Sequence, residues 1–302
     1  GPGSSVVSTA YRYNTNPIVP HAASVWQFRD PARSWLEPVL TVTNSTSLSA
    51  HTLTVGPLVL GRSYGWRVQH VDAEGHPSPW SAETRMVFGP EAGSAVLLNE
   101  ALAVNTGSVR NGNDRPDYLE LVNRTAAPVE LGGWAVSDSL DNPSRYVIPD
   151  GTQIPANGYL ILWCDSRRNS PGLHTGFGLQ QEGETVGLFA PGPSGLRLVD
   201  LLTFGPQLPD LAVGRIATDA RWTLVAPSPG VANTAVELDD AAPVRINEWL
   251  ATSADSSDWF ELFHPGSRPV DLGGLLASDG VDASAFPPLT FIAPGGFLRL
   301  VA

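Results

Sequence analysis

Two acid triplets in this chain share one spacing. The first is Asp114-x-x-Asp117-x-x-Glu120 and the second is Asp255-x-x-Asp258-x-x-Glu261. A further aspartate follows each, Asp138 or Asp279. Hard divalent cations gather several oxygen ligands, and carboxylates beside the start of a strand can supply them. The spacing therefore makes calcium the candidate cofactor, with those six acids as its ligands. The competing reading leaves Glu120 and Glu261 pointing outward on strands while the aspartates cap turns, a common use of acids in loops. The spacing is not that of an EF-hand loop, which needs Gly and a distal Glu at fixed offsets.

His174, in Gly172-Leu-His-Thr-Gly-Phe177, lies along one connection from Asp165. A His–Asp pair is part of a general-base arrangement, but no Gly-x-Ser-x-Gly or His-Glu-x-x-His motif accompanies it. The remaining histidines (21, 51, 70, 76 and 264) are scattered without ligand spacing. The expectation is that His174 ties down a loop and that the chain is not an enzyme. Trp66, Trp134 and Trp163 lie in alternating runs and read as packing. Trp35 and Trp249 have less regular surroundings and are the candidates for an exposed sugar platform. Cys164, the single cysteine, reads as a small buried hydrophobe. Asn44-Ser-Thr and Asn123-Arg-Thr fit the glycosylation pattern.

The elements that position these groups occur twice. Asp117-Tyr-Leu-Glu-Leu-Val-Asn through Val-Glu-Leu-Gly-Gly-Trp-Ala-Val-Ser-Asp138 aligns without a gap on Asp258-Trp-Phe-Glu-Leu-Phe-His through Val-Asp-Leu-Gly-Gly-Leu-Leu-Ala-Ser-Asp279. Upstream, Leu98-Asn-Glu-Ala-Leu-Ala103 matches Ile246-Asn-Glu-Trp-Leu-Ala251. Downstream, Ile154 to Leu160 matches Ile292 to Leu298. Period-two apolar residues on both sides of a Pro/Gly-rich turn make each block a β-hairpin. Two copies of one β unit lie in tandem, and the second stops early. Strands are expected at Ala95–Leu102, Asp117–Val122, Gly133–Ser137, Tyr159–Trp163, Thr185–Phe189 and Leu198–Phe204. Before the repeats, Ser24–Phe28, Thr52–Gly56, Ser63–Val71 and a run near Arg85–Phe88 also read as strands. Tyr64, Trp66, Val68 and His70 share one face.

The motif order Leu98-Asn-Glu, Pro116-Asp-Tyr-Leu-Glu-Leu, Leu131-Gly-Gly-Trp-Ala-Val-Ser-Asp138, Gly172-Leu-His-Thr-Gly-Phe177 and Pro227-Ser-Pro-Gly230 resembles a bacterial lamin-tail domain. The resemblance covers about residues 94 to 234, and residues 243 to 302 match its first half. It implies an immunoglobulin-like β-sandwich in a secreted or surface protein, with no catalytic residues of its own. Trp26, Leu60-Gly-Arg-Ser-Tyr64, Trp66-Arg-Val68, Gly75 and Trp80-Ser81 resemble a fibronectin type III domain. The expected domains are a tag scar and linker arm at 1–20, a fibronectin type III-like domain at 21–89, a lamin-tail-like sandwich at 94–235, and half of a second one at 243–302. The fold class is all-β, as tandem immunoglobulin-like β-sandwiches.

Composition narrows the function. All 18 basic residues are arginine, which excludes phosphate-loop, Schiff-base and isopeptide lysine chemistry. A net charge of −12 argues against a nucleic-acid partner, because phosphate neutralisation supplies most non-specific affinity. The 30 glycines and 27 prolines fit many short strands joined by turns. Gly1-Pro-Gly-Ser4 reads as an expression scar, and no secretory leader or membrane-inserting span is legible.

The expected function is therefore a non-catalytic, secreted or cell-surface fragment serving spacing, adhesion or ligand binding, with protein or carbohydrate partners. The alternative is an accessory, possibly carbohydrate-targeting, region of an enzyme whose catalytic domain lies elsewhere. Half a sandwich leaves an apolar face containing Ile246, Phe260, Leu262, Leu272, Phe291, Phe297 and Leu300. That face is expected to pack on the first copy or to drive self-association.

Overall fold

A computed structural model describes residues 5–7, 19–52, 58, 63–87, 94–166, 170–192, 195–218, 220–251, 258–278 and 283–301. The described residues contain strands and turns and no helix, in keeping with the short alternating runs of the sequence. They are arranged as tandem immunoglobulin-like β-sandwiches. The chain divides into two compact units, residues 1–94 with 198–201 and residues 95–197 with 202–302.

The first unit holds β1 (Ser5–Val7), β2 (His21–Arg29), β3 (Leu40–Asn44), β4 (Ala50–Thr52), β5 (Ser63–Asp72) and β6 (Thr84–Val87). Four of these form one antiparallel sheet in the order β3-β2-β5-β6. Trp26, Phe28, Leu58, Tyr64 and Val68 make its core. Tyr64 and Val68 are buried, as the alternation of β5 requires, whereas Trp66 and His70 on the same face are half-buried. The expected strand at Thr52–Gly56 falls mostly outside the described residues.

The second unit begins with the first repeat. Its strands are β7 (Val96–Leu102), β8 (Asp117–Asn123), β9 (Val129–Glu130), β10 (Ala135–Ser137), β11 (Tyr146–Val147), β12 (Gln153–Ile154), β13 (Tyr159–Cys164), β14 (Leu173–His174), β15 (Glu184–Gly192), β16 (Gly195–Phe204), β17 (Ala212–Arg215) and β18 (Trp222–Val225). One sheet runs β14-β13-β8-β7-β17-β18 and the other β11-β10-β15-β16. Every residue of β7 is buried, so this central strand is covered on both faces and has no polar side of the usual kind.

The second repeat follows with β19 (Arg245–Leu250), β20 (Trp259–Phe263), β21 (Val270–Asp271), β22 (Leu276–Ser278), β23 (Ala283–Ala285), β24 (Phe291–Ile292) and β25 (Phe297–Val301). Its pairings reproduce those of the first repeat. The order β19-β20-β25 matches β7-β8-β13, β21-β24 matches β9-β12, and β22-β23 matches β10-β11. Leu262, Val270, Leu272 and Ile292 form its core, with Phe260, Leu298 and Leu300 packed against them. β19 is exposed along its whole length, the reverse of β7.

The two repeats touch along a polar seam. Gly205 N donates to Pro288 O at 2.9 Å, and Phe291 N donates to Pro206 O at 3.2 Å. The buried Gln207 carboxamide donates to Leu289 O at 2.8 Å. Leu289 sits at φ 55°, a left-handed conformation that a bulky residue adopts only when its surroundings hold it there. Gly205 is required at the seam, because a Cβ there would lie 2.0 Å from Thr290 Oγ1.

Of the apolar face expected from the sequence, Leu262, Leu272 and Phe291 are buried, and Phe260 and Leu300 are half-buried. Ile246 and Phe297 remain exposed.

A sealed carboxylate pair as the candidate functional site

Glu100 and Glu120 stand directly opposite each other on β7 and β8. The register shifts between Leu98 and Glu100, so Asn99 occupies a β-bulge. The bulge aims Asn99 at the same carboxylate that Glu100 faces, and Asn99 Nδ2 donates to Glu120 Oε1 at 2.8 Å. Two like charges opposed across a sheet repel, and both side chains are fully buried. Something must supply donors.

The supplier is the segment after β18, Pro227-Ser-Pro-Gly230 and on to Asn233. Ser228 N donates to Glu100 Oε1 at 3.0 Å and its hydroxyl to Glu100 Oε2 at 2.8 Å. Gly230 N donates to Glu120 Oε2 at 2.5 Å. Gly230 has φ +83°, so the turn that delivers this N–H suits glycine. Asn233 Nδ2 bridges Asn99 O (2.9 Å) and Arg215 O (3.1 Å), tying the segment to β7 and β17. The Tyr118 hydroxyl donates to Glu100 Oε1. Burial and the adjacent Glu100 push the Tyr118 phenol upward, which keeps it a donor. Burial also raises the Glu100 carboxyl and lifts Glu120 to about 7, against the opposing pull of the Gly230 and Asn99 hydrogen bonds.

This arrangement has the residue types of an acid–base pair without the access that catalysis needs. Each of the four carboxylate oxygens accepts a hydrogen bond from the protein, and neither side chain reaches solvent. Its chemistry is that of a lock between hairpin and closing segment.

The acids singled out in the sequence are placed differently from the calcium arrangement. Asp117 and Glu120 are three apart on one strand, which turns them to opposite faces. Glu120 belongs to the lock. Asp117 accepts Asn105 N at 3.2 Å, and burial lifts it to about 6. Asp114 and Asp117 line a cavity of about 270 Å³ with Asp165 and Cys164. Among the described residues, no group of three or more His, Cys, Asp or Glu side chains is disposed to hold a metal ion. In the second repeat Asp258 is exposed and Glu261 accepts from Asn247, while Asp255 lies outside the described residues. Asp138 pairs with Arg145, and Asp279 is outside the described residues.

His174 Nδ1 and Asp165 Oδ1 are 2.5 Å apart, and Nε2 faces Pro171 O at 3.3 Å. Both ring nitrogens thus face acceptors from the protein's own loop. Trp35 is half-buried rather than presented as a platform. The Arg67 guanidinium lies 4.2 Å and that of Arg29 5.1 Å from its ring, and its Nε1 donates to Glu83. Trp249 is exposed. Cys164 is buried, and burial raises its thiol. Asn123 is also buried, its amide donating to Ala127 O, Ile154 O and Pro155 O, so its glycosylation pattern serves the fold.

The lock itself is not legible in the sequence. The Asn-Glu dipeptide is visible as a repeated unit, and Pro-Ser-Pro-Gly as a domain close. Their meeting at Glu120 depends on strand register, which the local sequence does not display.

The first repeat is an immunoglobulin-like sandwich closed by a buried acid lock. Residues 90–205 match the family model of the Lamin Tail Domain, which supports one lamin-tail-type domain in that stretch. Comparison with curated proteins and with solved structures gave no match.

Proposed function

We propose that the chain is a non-catalytic binding and spacing segment of a bacterial secreted or cell-surface protein. In this reading residues 21–89 are a fibronectin type III-like module and residues 243–302 are the first half of a second lamin-tail-type domain. The observation that carries it is the fate of the titratable groups with catalytic potential. Glu100 and Glu120 are consumed by the closing segment, and His174 by Asp165 and its own loop. A protein that uses its buried acids as fasteners offers surfaces and spacing. The immunoglobulin-like class of the first repeat agrees with a role in protein interaction, and the charge of −12 favours partners other than nucleic acid.

The test is a hydrolase screen over esters, glycosides, phosphoesters and peptides, run beside His174→Ala. Turnover that disappears in the variant would overturn the proposal. Glycan and protein arrays then separate adhesion from spacing, and a carbohydrate hit lost in Trp249→Ala would favour the accessory targeting role.

A further inference from the structure

His21 and His70 are 49 residues apart in the chain and meet in the first unit. Ser24 of β2 stands opposite His70 of β5, on the face that carries Trp26 and Val68. His21 is three residues from Ser24, a spacing that puts side chains on opposite faces of a regular strand. The register shifts between His21 and Ala23, and this bulge turns His21 onto the Ser24 side. His21 Nε2 lies 3.0 Å from Ser24 Oγ, Ser24 Oγ lies 3.0 Å from His70 Nδ1, and the two ring nitrogens lie 3.2 Å apart. The rings meet edge to face, with centroids 4.6 Å apart and an interplanar angle of 79°. Two nitrogens and an oxygen thus form a nearly equilateral triangle.

Hydrogen bonds alone serve this triangle poorly. Ser24 is fully buried, and its hydroxyl donates to Leu48 O at 2.5 Å. Ser24 Oγ can then only accept, so bonds from both rings need a proton on His21 Nε2 and another on His70 Nδ1. Those two N–H groups would oppose each other across 3.2 Å. With either nitrogen bare, one side of the triangle sets lone pair against lone pair. Ala23 O, 2.9 Å from His21 Nε2, competes for the same proton. Burial, with His21 beside it, holds the His70 imidazole below its usual range, which keeps it neutral at pH 7. A cation facing the triangle removes the conflict, because all three atoms can turn lone pairs to it.

We propose that His21 Nε2, His70 Nδ1 and Ser24 Oγ form a site for a divalent transition-metal ion of the zinc, copper(II) or nickel class. Imidazole nitrogens suit these ions, whereas calcium and magnesium select carboxylate and carbonyl oxygens. At a zinc–nitrogen distance of about 2.0–2.1 Å, two ligand nitrogens of a tetrahedral ion stand about 3.3 Å apart. The observed 3.2 Å fits that spacing without rearrangement of the strands. The His70 backbone is held on both sides, its N–H donating to Ser78 Oγ at 3.0 Å and its carbonyl accepting from Ser78 N at 2.8 Å. Both rings are half-buried, which leaves a coordination position for water. Coordination needs both nitrogens bare, so His21 then carries its proton on Nδ1 and His70 on Nε2. The ion clips the bulged start of β2 to the end of β5. This site goes beyond the binding and spacing role and stands independently of it.

The test titrates zinc, copper(II) and nickel salts into the metal-free full chain by calorimetry. One ion per chain is expected, with a raised melting temperature and an affinity that falls as pH drops through the imidazole range. Excess magnesium or calcium should not compete. His21→Gln and His70→Gln should each weaken binding at least tenfold, and unchanged melting in metal-free buffer shows that they fold. If either variant unfolds, the parent protein still decides: nitrogen NMR of the histidine rings should show zinc moving the protons to Nδ1 of His21 and Nε2 of His70. The competing chelate is the exposed His76, whose Nδ1 is 3.4 Å from Asp72 and 3.7 Å from Glu74. His76→Ala should leave the affinity unchanged, and binding lost in that variant would overturn the proposal. So would the absence of saturable binding up to millimolar metal, ring protons that stay in place, or binding indifferent to both glutamine variants. The hydrolase screen reads a different property, so the metal site and the non-catalytic reading can fail separately.

Discussion

Glu120 and Gly230 are 110 residues apart in the chain, and Glu120 Oε2 accepts a 2.5 Å hydrogen bond from Gly230 N. The contact joins the central hairpin to the last segment of the domain. A polar fastener of this kind specifies where the closing segment lies, because a misplaced segment would leave two buried carboxylates without donors.

The lock makes stability pH-dependent with an unusual sign for acids. Burial lifts Glu120 from 4.5 to about 7 in the folded state. Between those values the folded state holds a proton that the unfolded state releases, so stability falls as pH rises through the window and levels off above it. At about 1.4 kcal/mol per pH unit, the upper limit from Glu120 is about 3 kcal/mol. Asp117, lifted to about 6, and Glu184, lifted to about 7, slope the same way. Urea denaturation at pH 5 and pH 8 and fixed ionic strength should show the greater stability at pH 5. Glu120→Gln should flatten part of the slope, and a stability that climbs with pH would contradict the account.

Equivalent glutamates in the two repeats should respond differently to truncation. Ser228→Ala removes a hydrogen bond to a buried carboxylate and should cost the first repeat about 1–3 kcal/mol. Glu100→Ala strands the donors of Tyr118 and Ser228 and should cost at least as much. Glu248→Ala, at an exposed position, should stay within about 0.5 kcal/mol. Denaturant midpoints of the three variants check this, and equal losses at Glu100 and Glu248 would show that the lock adds nothing to its hairpin.

The seam between the repeats should be separable by one substitution. Gln207→Ala removes the donor to Leu289 O and to Gly205 O and should cost about 1–2 kcal/mol. Gly205→Ala places a methyl against Thr290 and should also loosen the seam. In calorimetry the two repeats should unfold more nearly together in the parent than in either variant. Identical transitions in all three proteins would mean that the seam does not couple them.

Calcium should leave the first repeat unchanged. Asp117 and Glu120 face opposite sides of β8, and Glu120 already has two donors. A cation bound only to the folded state would raise the melting temperature. Melting in millimolar calcium and in EDTA should therefore coincide; a rise lost in Asp117→Asn would restore the acid triplet as a site.

Alternation carried most of the fold. The strands at Asp117, Tyr159 and Leu198 were legible because apolar residues recur with period two beside Pro/Gly turns. The four-residue strands β17 and β18 leave no legible strand signal in the sequence. They are short, and β17 is buried throughout, so no polar face marks its period. A strand acid with acids three and six residues upstream suggests convergence in one dimension, which makes Glu120 a candidate cation ligand beside the reading that it points outward. Its true partners, Asn99 and Gly230, come from a bulge and a distant turn, and neither has a local signature strong enough to connect them.

The sealing contact also has a place in time. At about 5–20 residues per second, a ribosome that has made Glu120 needs roughly 5–20 s to reach Gly230. Until then Glu100 and Glu120 lack the donors that Ser228 and Gly230 bring. Because burial raises both carboxyls, closure of the domain should take up protons from solution. A weakly buffered indicator should therefore turn basic as the chain refolds. Final closure is in that sense a small act of proton uptake.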